Sequence, residues 1–365
     1  MRLLRKNPFP REVDNVKLRN LSCCLLALLL AAGCARIPLT VQPQETVTLR
    51  LAVGNGLSDD AVRSVDTFVS QVESLSGGGM AVECIQTDVG AQSLQNGFDL
   101  ALLPNETVAR FDPDFQSFTS PFYFYDLTHL TAALNSGEFL FLTGDHLRRS
   151  LGAVSMAALC GGSRAFVSDE SEELDMYEKW QDVSVAIADG GELLAAVLEG
   201  LGAEVSFAPE QSLMEGFLQR DLHTIECGVS ELPQLAALAG EEMRICVFYS
   251  FHTAKIDWLM RSASLDEKLT DGQLAILSEA AAAALGVNHA AVAAREDAAF
   301  KAVEALGIPV YDIEYDEYFS CADQILRNGQ QIAGEAEDTA EAALRAVPSW
   351  NWETHLSVRA LALLN

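Results

Sequence analysis

The chain has 365 residues, 49% of them hydrophobic, with 24 basic and 52 acidic side chains and a formal net charge of −28. That length supports two lobes around a large core, and the apolar fraction excludes a disordered chain. The acidity excludes a protein that grips nucleic acid, because such binding rests on Lys and Arg neutralising backbone phosphates.

Residues 1–20 carry Arg2, Arg5, Lys6, Arg11, Lys17 and Arg19, and residues 21–32 form an apolar run of twelve. A folded helix needs about 20 apolar residues to cross a bilayer, so the two stretches read as the basic and hydrophobic parts of an export signal. Ala31, Ala32, Gly33 and Cys34 follow. They resemble the lipobox of bacterial lipoproteins, with Ala31 where that motif usually has Leu and Leu30 one place earlier. The resemblance implies a signal peptide over 1–33, lipidation at Cys34, and a tether over 34–46. Two acyl chains hold a protein at a membrane where one is marginal. No later run reads as a span. Loss of residues 1–33 removes six basic and two acidic side chains, leaving 50 acidic, 18 basic and a net charge of −32.

From residue 47 the pattern is α/β. An apolar strand over 47–53 ends at Gly54-Asn55-Gly56. A helix follows on Val62, Val65, Phe68, Val69, Val72 and Leu75, capped by Ser58 or Asp59 and ended by Gly77–Gly79. Strands over 80–85 and 98–103 complete the opening of a parallel sheet, in which ligands bind outside the carboxyl ends of the strands. Next come an aromatic stretch over 120–125, a helix over 127–140 and a strand over 151–159, with 160–167 a loop into another strand. A second cycle predicts strands at 183–188, 204–207 and 222–227, with helices at 192–201 and 211–219. Strands at 243–249 and 255–261 read as crossings between lobes. Thr270 opens a long Ala-rich helix that runs to about Leu306, where Gly307-Ile308-Pro309 stops it. A strand at 310–313, helices over 317–346 and a terminal helix over 350–364 finish the chain. The expected division is lobe I over 47–155, lobe II over 156–240, lobe-crossing strands over 241–270, and helical segments packing on both lobes over 271–365.

Several stretches in this order resemble the extracytoplasmic solute-binding proteins of tripartite ATP-independent periplasmic (TRAP) transporters, the dicarboxylate-binding DctP family. They are Ser74–Glu83 with its glycine triplet, Leu94–Leu103 with Gly97 and Asp99, Ser120-Pro121-Phe122-Tyr123-Phe124, Gly162-Ser163-Arg164, and the entry to the long helix with Leu269, Gln273, Ala280 and Ala281. Order and spacing agree over about residues 47–306. The resemblance implies a two-lobed fold of the type II periplasmic-binding-protein kind, a small-molecule ligand in the cleft, and membrane permease subunits as partners. It also locates a departure. The family's carboxylate-pairing Arg falls at Ser184 here, and the Glu-x-Tyr of the next helix is missing, with Glu210 and Glu215 near it.

The candidate binding residues are Arg164, Asn55, Ser184, Phe122, Tyr249, Phe251 and His252. An Arg fork grips carboxylates in two-point fashion. Ser184 offers one neutral hydroxyl, and Asn55 an amide in the crevice loop. Phe122 is a candidate cleft wall. Tyr249-Ser250-Phe251-His252 falls between the two crossing strands, where a cleft has its floor. Gly190-Gly191 before a helix is a weak anion signal. No nucleophile elbow, Walker sequence or GxGxxG occurs, the six histidines lack metal-ligand spacing, and the cysteines after residue 34 (84, 160, 227, 246 and 321) include no CxxC pair. No cofactor, metal or catalytic residue is expected, and one disulfide is open among those five. The expected function is capture of a small polar molecule or organic acid by a lipid-anchored, extracytoplasmic protein. The alternative is a surface lipoprotein that keeps the fold as a sensor or scaffold.

Overall fold

A computed structural model describes residues 46–313 except 89–93, 95–96, 113–114, 116–117, 170–173, 175–176 and 241–242, together with Tyr318 and Ala322. The signal, Cys34 and the tether to residue 45 lie outside the described residues, as do the helices expected over 317–346 (apart from Tyr318 and Ala322) and 350–364 and the thiol of Cys321.

The first half is built on β1 (Val47–Val53), whose Leu49, Leu51, Ala52 and Val53 are buried. It pairs in parallel with β2 (Met80–Gln86) on one side and β3 (Leu100–Pro104) on the other. Continuous apolar runs suit strands covered on both faces. Helix α1 (Asp59–Leu75) covers one face; the Ser58 hydroxyl accepts from Ala61 N, and Asp59 and Asp60 lie in the first turn, where the helix dipole favours acids. Its inward stripe is Ala61, Ser64, Val65, Phe68 and Val72. Val62 and Leu75 of the predicted stripe are exposed, because the face turned to the sheet lies about one residue round the helix from them.

After β3 come α2 (Asn105–Ala109), α3 (Leu127–Leu134) and α4 (Gly137–Leu151). The single helix expected over 127–140 is broken at Asn135. That side chain accepts from Ala158 N at 2.8 Å and donates to Ala158 O at 3.0 Å, so it serves the neighbouring strand rather than extending the helix.

That strand, β4 (Ala153–Ser168), corrects a second expectation: 160–167 is not a loop but the second part of one sixteen-residue strand. Its register slips between Ser155 and Ala157 and between Cys160 and Gly162. A bulge leaves backbone groups without a ladder partner. Here Asn288 Oδ1 accepts from Cys160 N at 2.8 Å and its Nδ2 donates to Cys160 O at 3.0 Å. Ser163 N and Oγ donate to Glu296 Oε1 at 2.5 and 2.9 Å.

The second half repeats the logic. β5 (Ser184–Ala188) pairs in parallel with β6 (Glu204–Ala208) and β7 (Thr224–Gly228). Helices α5 (Glu192–Gly200), α6 (Glu210–Leu218) and α7 (Leu232–Ala239) pack around them. The chain then returns through β8 (Cys246–Tyr249) and β9 (Ala254–Ser262), runs through the short α8 (Leu265–Lys268) into α9 (Asp271–Ala305), and ends its described course at β10 (Val310–Asp312) beside β8.

The strand order is β2-β1-β3-β9-β4-β7-β5-β6, with β8 on β4 and β10 on β8. β4 belongs to both halves. Residues 153–163 pair with β9, residues 164–168 pair with β7, and residues 166–168 pair with β8 on the other side. β8 and β9 therefore run as one interrupted line antiparallel to β4, crossing between the halves as expected. α9 is the third crossing. It is long and apolar enough, by length and composition, to cross a membrane. Its stripe of Leu277, Ala280, Ala281, Ala284, Asn288, Val292, Glu296, Ala299 and Val303 is instead buried along both halves.

Candidate functional site

A cavity of about 300 Å³ opens between the halves. It lies where parallel α/β sheets place ligands, at the carboxyl ends of strands. Gly56 comes from beyond β1, Pro104 and Glu106 from the end of β3, Ala188, Asp189, Gly190 and Gly191 from the end of β5, Pro209 and Glu210 from the end of β6, and Thr253–Asp257 from the start of β9.

A charged chain runs along its second-half wall. Arg164 is 6% exposed. Its Nε lies 2.8 Å from Glu226 Oε2 and its Nη1 lies 2.7 Å from Glu210 Oε1. Lys255 Nζ reaches the other oxygen of Glu210 at 2.6 Å. Behind Glu226, His252 Nε2 lies 2.9 Å from Oε1, and its ring stacks on Phe166 at 4.6 Å. Burial by itself raises a carboxylate's pKa, yet the Arg164 guanidinium and the Lys255 ammonium hold Glu210 down at about 2. Glu226 is likewise held below its ordinary range against burial, chiefly by Arg164 and then by His252. Arg164 Nη2 has no hydrogen-bond partner among the described residues.

The opposite wall is different. Asp257, 1% exposed, accepts from Ser58 Oγ at 2.6 Å and Ser58 N at 3.2 Å, both on Oδ2. Burial pushes its pKa up to about 7, with the Ser58 bonds opposing and the nearby Glu106 charge adding. The close approach that makes these bonds depends on Gly161: a Cβ there would stand 2.7 Å from the Cβ atoms of both Ser58 and Lys255. Gly162 follows with φ +101°, a left-handed conformation that suits glycine.

The sequence candidates divide. Arg164 lines the cavity. Asn55 does not; it bonds Asp88 and Gln86 and lines an adjoining cavity of about 540 Å³ that shares Gly56, Pro104 and Glu106 with the first. Ser184 is exposed at the amino end of β5, the end away from the cavity. Phe251 is buried in the first-half core with Phe124 and Trp258. Phe122, Tyr249 and His252 form a layer beneath the site. Phe122, at φ 60°, donates its N–H to His252 O at 2.6 Å and packs on the Tyr318 ring. Tyr249 Oη meets Ser163 Oγ at 3.2 Å, and its ring stands edge-on to Phe300 at 4.7 Å, tying β4, β8 and α9 together.

Sequence reading missed Glu226, Lys255, Asp257, Asp189 and Glu106, and named Glu210 only as a near-match. No local pattern marks them, since they meet only when two strands, two helices and the loop after β5 converge. The Gly190-Gly191 signal did fall on the cavity rim. Cys84, Cys160, Cys227 and Cys246 are free thiols, so no disulfide forms among the described cysteines.

The fold and the cleft together define a two-lobed α/β binding-protein architecture, as expected from the sequence. No family model matches the chain, and no curated protein matches it. Solved structures refine the class: the chain has the fold of TRAP periplasmic solute-binding proteins. It is similar to one from Ochrobactrum anthropi at 17% identity and TM-score 0.73, over 85% of this chain and 98% of that one. One from Sulfitobacter sp. NAS-14.1, with bound β-D-galacturonate, aligns at 16% identity and TM-score 0.64, over 82% and 99%. One from Desulfovibrio desulfuricans, with bound sn-glycerol-3-phosphate, aligns at 14% identity and TM-score 0.66, over 83% and 98%.

Proposed function

We propose that this protein is an extracytoplasmic solute-binding lipoprotein of the TRAP type. It captures a small polar molecule between its halves and delivers it to a membrane permease. The observation that carries the reading is the cavity at the carboxyl ends of both parallel strand sets, lined by buried charged groups and bridged by three chain crossings. Such crossings are where a hinge closes two lobes on a ligand. Closure makes and breaks no covalent bond, so the role is binding and not catalysis. Cys34 supplies the lipid anchor and residues 34–46 the tether. Arg164, with Glu210 and Glu226, shapes the ligand subsite from one half, while Gly56, Glu106 and Asp257 shape it from the other.

The test is a thermal-shift screen of the purified protein against small polar metabolites and organic acids. A ligand-dependent rise in melting temperature supports the reading; a broad screen with no shift refutes it. Delivery is tested by co-purification with the permease subunits expected beside it, and retention of the binding protein on a permease column only when ligand is present supports transport. A sensor or scaffold role is the second reading. It is favoured by one observation: the cavity's Arg is already held by two glutamates.

A further inference from the structure

The proposal below rests on the solute-binding reading and concerns the charge of the ligand. The cavity is lined by five carboxylates, Glu106, Asp189, Glu210, Glu226 and Asp257, against two basic side chains, Arg164 and Lys255. Both bases already hold carboxylates: Arg164 takes Glu226 and Glu210, and Lys255 takes the second oxygen of Glu210. An entering carboxylate therefore meets no uncommitted guanidinium fork. It also meets the surplus negative charge of Glu106 and Asp189, joined by Asp257 once that carboxyl ionises, in a cleft with low-dielectric walls, where like-charge repulsion is strong.

Asp257 adds an independent observation. It is 1% exposed and lines the cavity, and Ser58 occupies only its Oδ2. Oδ1 takes no hydrogen bond among the described residues. Oδ1 is therefore free to accept a hydrogen bond from a ligand in the cavity that Asp257 lines. A protonated nitrogen meets both needs, because it donates hydrogen bonds and offsets the surplus charge.

We propose that the ligand of this cleft is a small molecule carrying a protonated amine, seated against Oδ1 of Asp257 with Glu106 and Asp189 nearby. Arg164 Nη2, without a hydrogen-bond partner among the described residues, accommodates an oxygen of the same molecule, so zwitterions fit as well as simple cations. A ligand recognised by negative charge alone does not.

The experiment is a thermal-shift and calorimetric screen of two fixed sets. One set holds amines: the common amino acids, linear diamines and methylated ammonium compounds. The other holds acids: hexuronates, aldonates and four-carbon dicarboxylates. The proposal expects binders in the amine set alone, with affinity falling as ionic strength rises, at least a tenfold loss in Asp257→Asn, and no loss in Ser184→Ala. If Asp257→Asn fails to fold, Asp189→Asn and Glu106→Gln replace it, each with a severalfold loss of amine affinity. Binding of an acid with no amine binding overturns the proposal and leaves solute binding standing. So does an unchanged amine affinity in the folded variants. No binding from either set overturns solute binding and the proposal with it.

Discussion

Arg164 Nε stands 2.8 Å from Glu226 Oε2 across the neighbouring strands β4 and β7, with both side chains more than nine-tenths buried. The pair sits just past the bulge in β4, at the point where that strand passes from one half of the sheet to the other. Its geometry decides both what the cavity wall offers a ligand and what a substitution there costs.

Removing one partner strands a buried charge. Arg164→Leu is expected to destabilise the protein by about 3–5 kcal/mol, whereas Arg164→Leu with Glu226→Leu recovers part of that loss, because a well-packed apolar pair often replaces a buried ion pair at little cost. Urea denaturation of the single and double variants checks it; a double variant less stable than the single would contradict the argument.

Asn288 serves both backbone groups of Cys160 at the β4 bulge. Asn288→Ala leaves a buried N–H and a buried C=O unmet, at about 1–3 kcal/mol each. Hydrogen exchange at the Cys160 amide should quicken by the corresponding factor. Protection equal to that of the parent protein would show that the bulge finds other partners.

Two glycines should respond in opposite directions. Gly161→Ala places a methyl 2.7 Å from Ser58 and Lys255 Cβ atoms, and overpacking of this kind costs about 1–3 kcal/mol. Gly286 lies within α9 with open space where its Cβ would stand, so Gly286→Ala should gain about 0.5–1 kcal/mol. Melting temperatures of the two variants decide both.

The carboxyl of Asp257 titrates near pH 7 in the folded chain, raised by burial from an ordinary value near 4. Between those two values the folded state holds a proton that the unfolded state has released. Asp257 therefore contributes stability that is full below about pH 4 and is lost as pH rises through about 7. Comparing the parent with Asp257→Asn from pH 4 to 8, the parent alone should lose this increment as pH rises. Affinity for an amine should move the other way, rising through pH 7 as Asp257 ionises. A flat difference between the two proteins would sink the assignment.

Ser184 is exposed at the end of β5 away from the cavity. Ser184→Ala should leave ligand affinity unchanged and stability within about 0.5 kcal/mol, measured by calorimetry and denaturation. A loss of affinity would place the ligand elsewhere.

Much of the fold was legible in the chain. The apolar run at β1, the Ser58 cap, the Thr270 entry to α9 and the Gly307-Ile308-Pro309 stop all act within a few residues, so local chemistry specifies them. The β4 region was misread because Gly161 and Gly162 signal a loop locally, while Asn288 and Glu296, more than a hundred positions away, satisfy the backbone there and let the strand continue. Asn135 misled for the same reason, since its partner is Ala158. For the site, a lone Arg in a Gly-rich stretch was enough to single out Arg164, but its two glutamates were not.

The sequence by itself determined the alternation of strands and helices, the places of the crossing strands at 243–249 and 255–261, and the acidity that excludes nucleic acid. Those properties follow from periodicity, caps and composition, which act over short distances or over the chain as a whole. Only the tertiary structure decided the character of the cleft. Arg164, Glu210, Glu226, Lys255 and Asp257 come from β4, α6, β7 and β9, and their mutual distances exist only once those elements pack. Hydrogen bonds and ion pairs at 2.6–2.8 Å set which charges remain for a ligand, and nothing in the linear order records that distance.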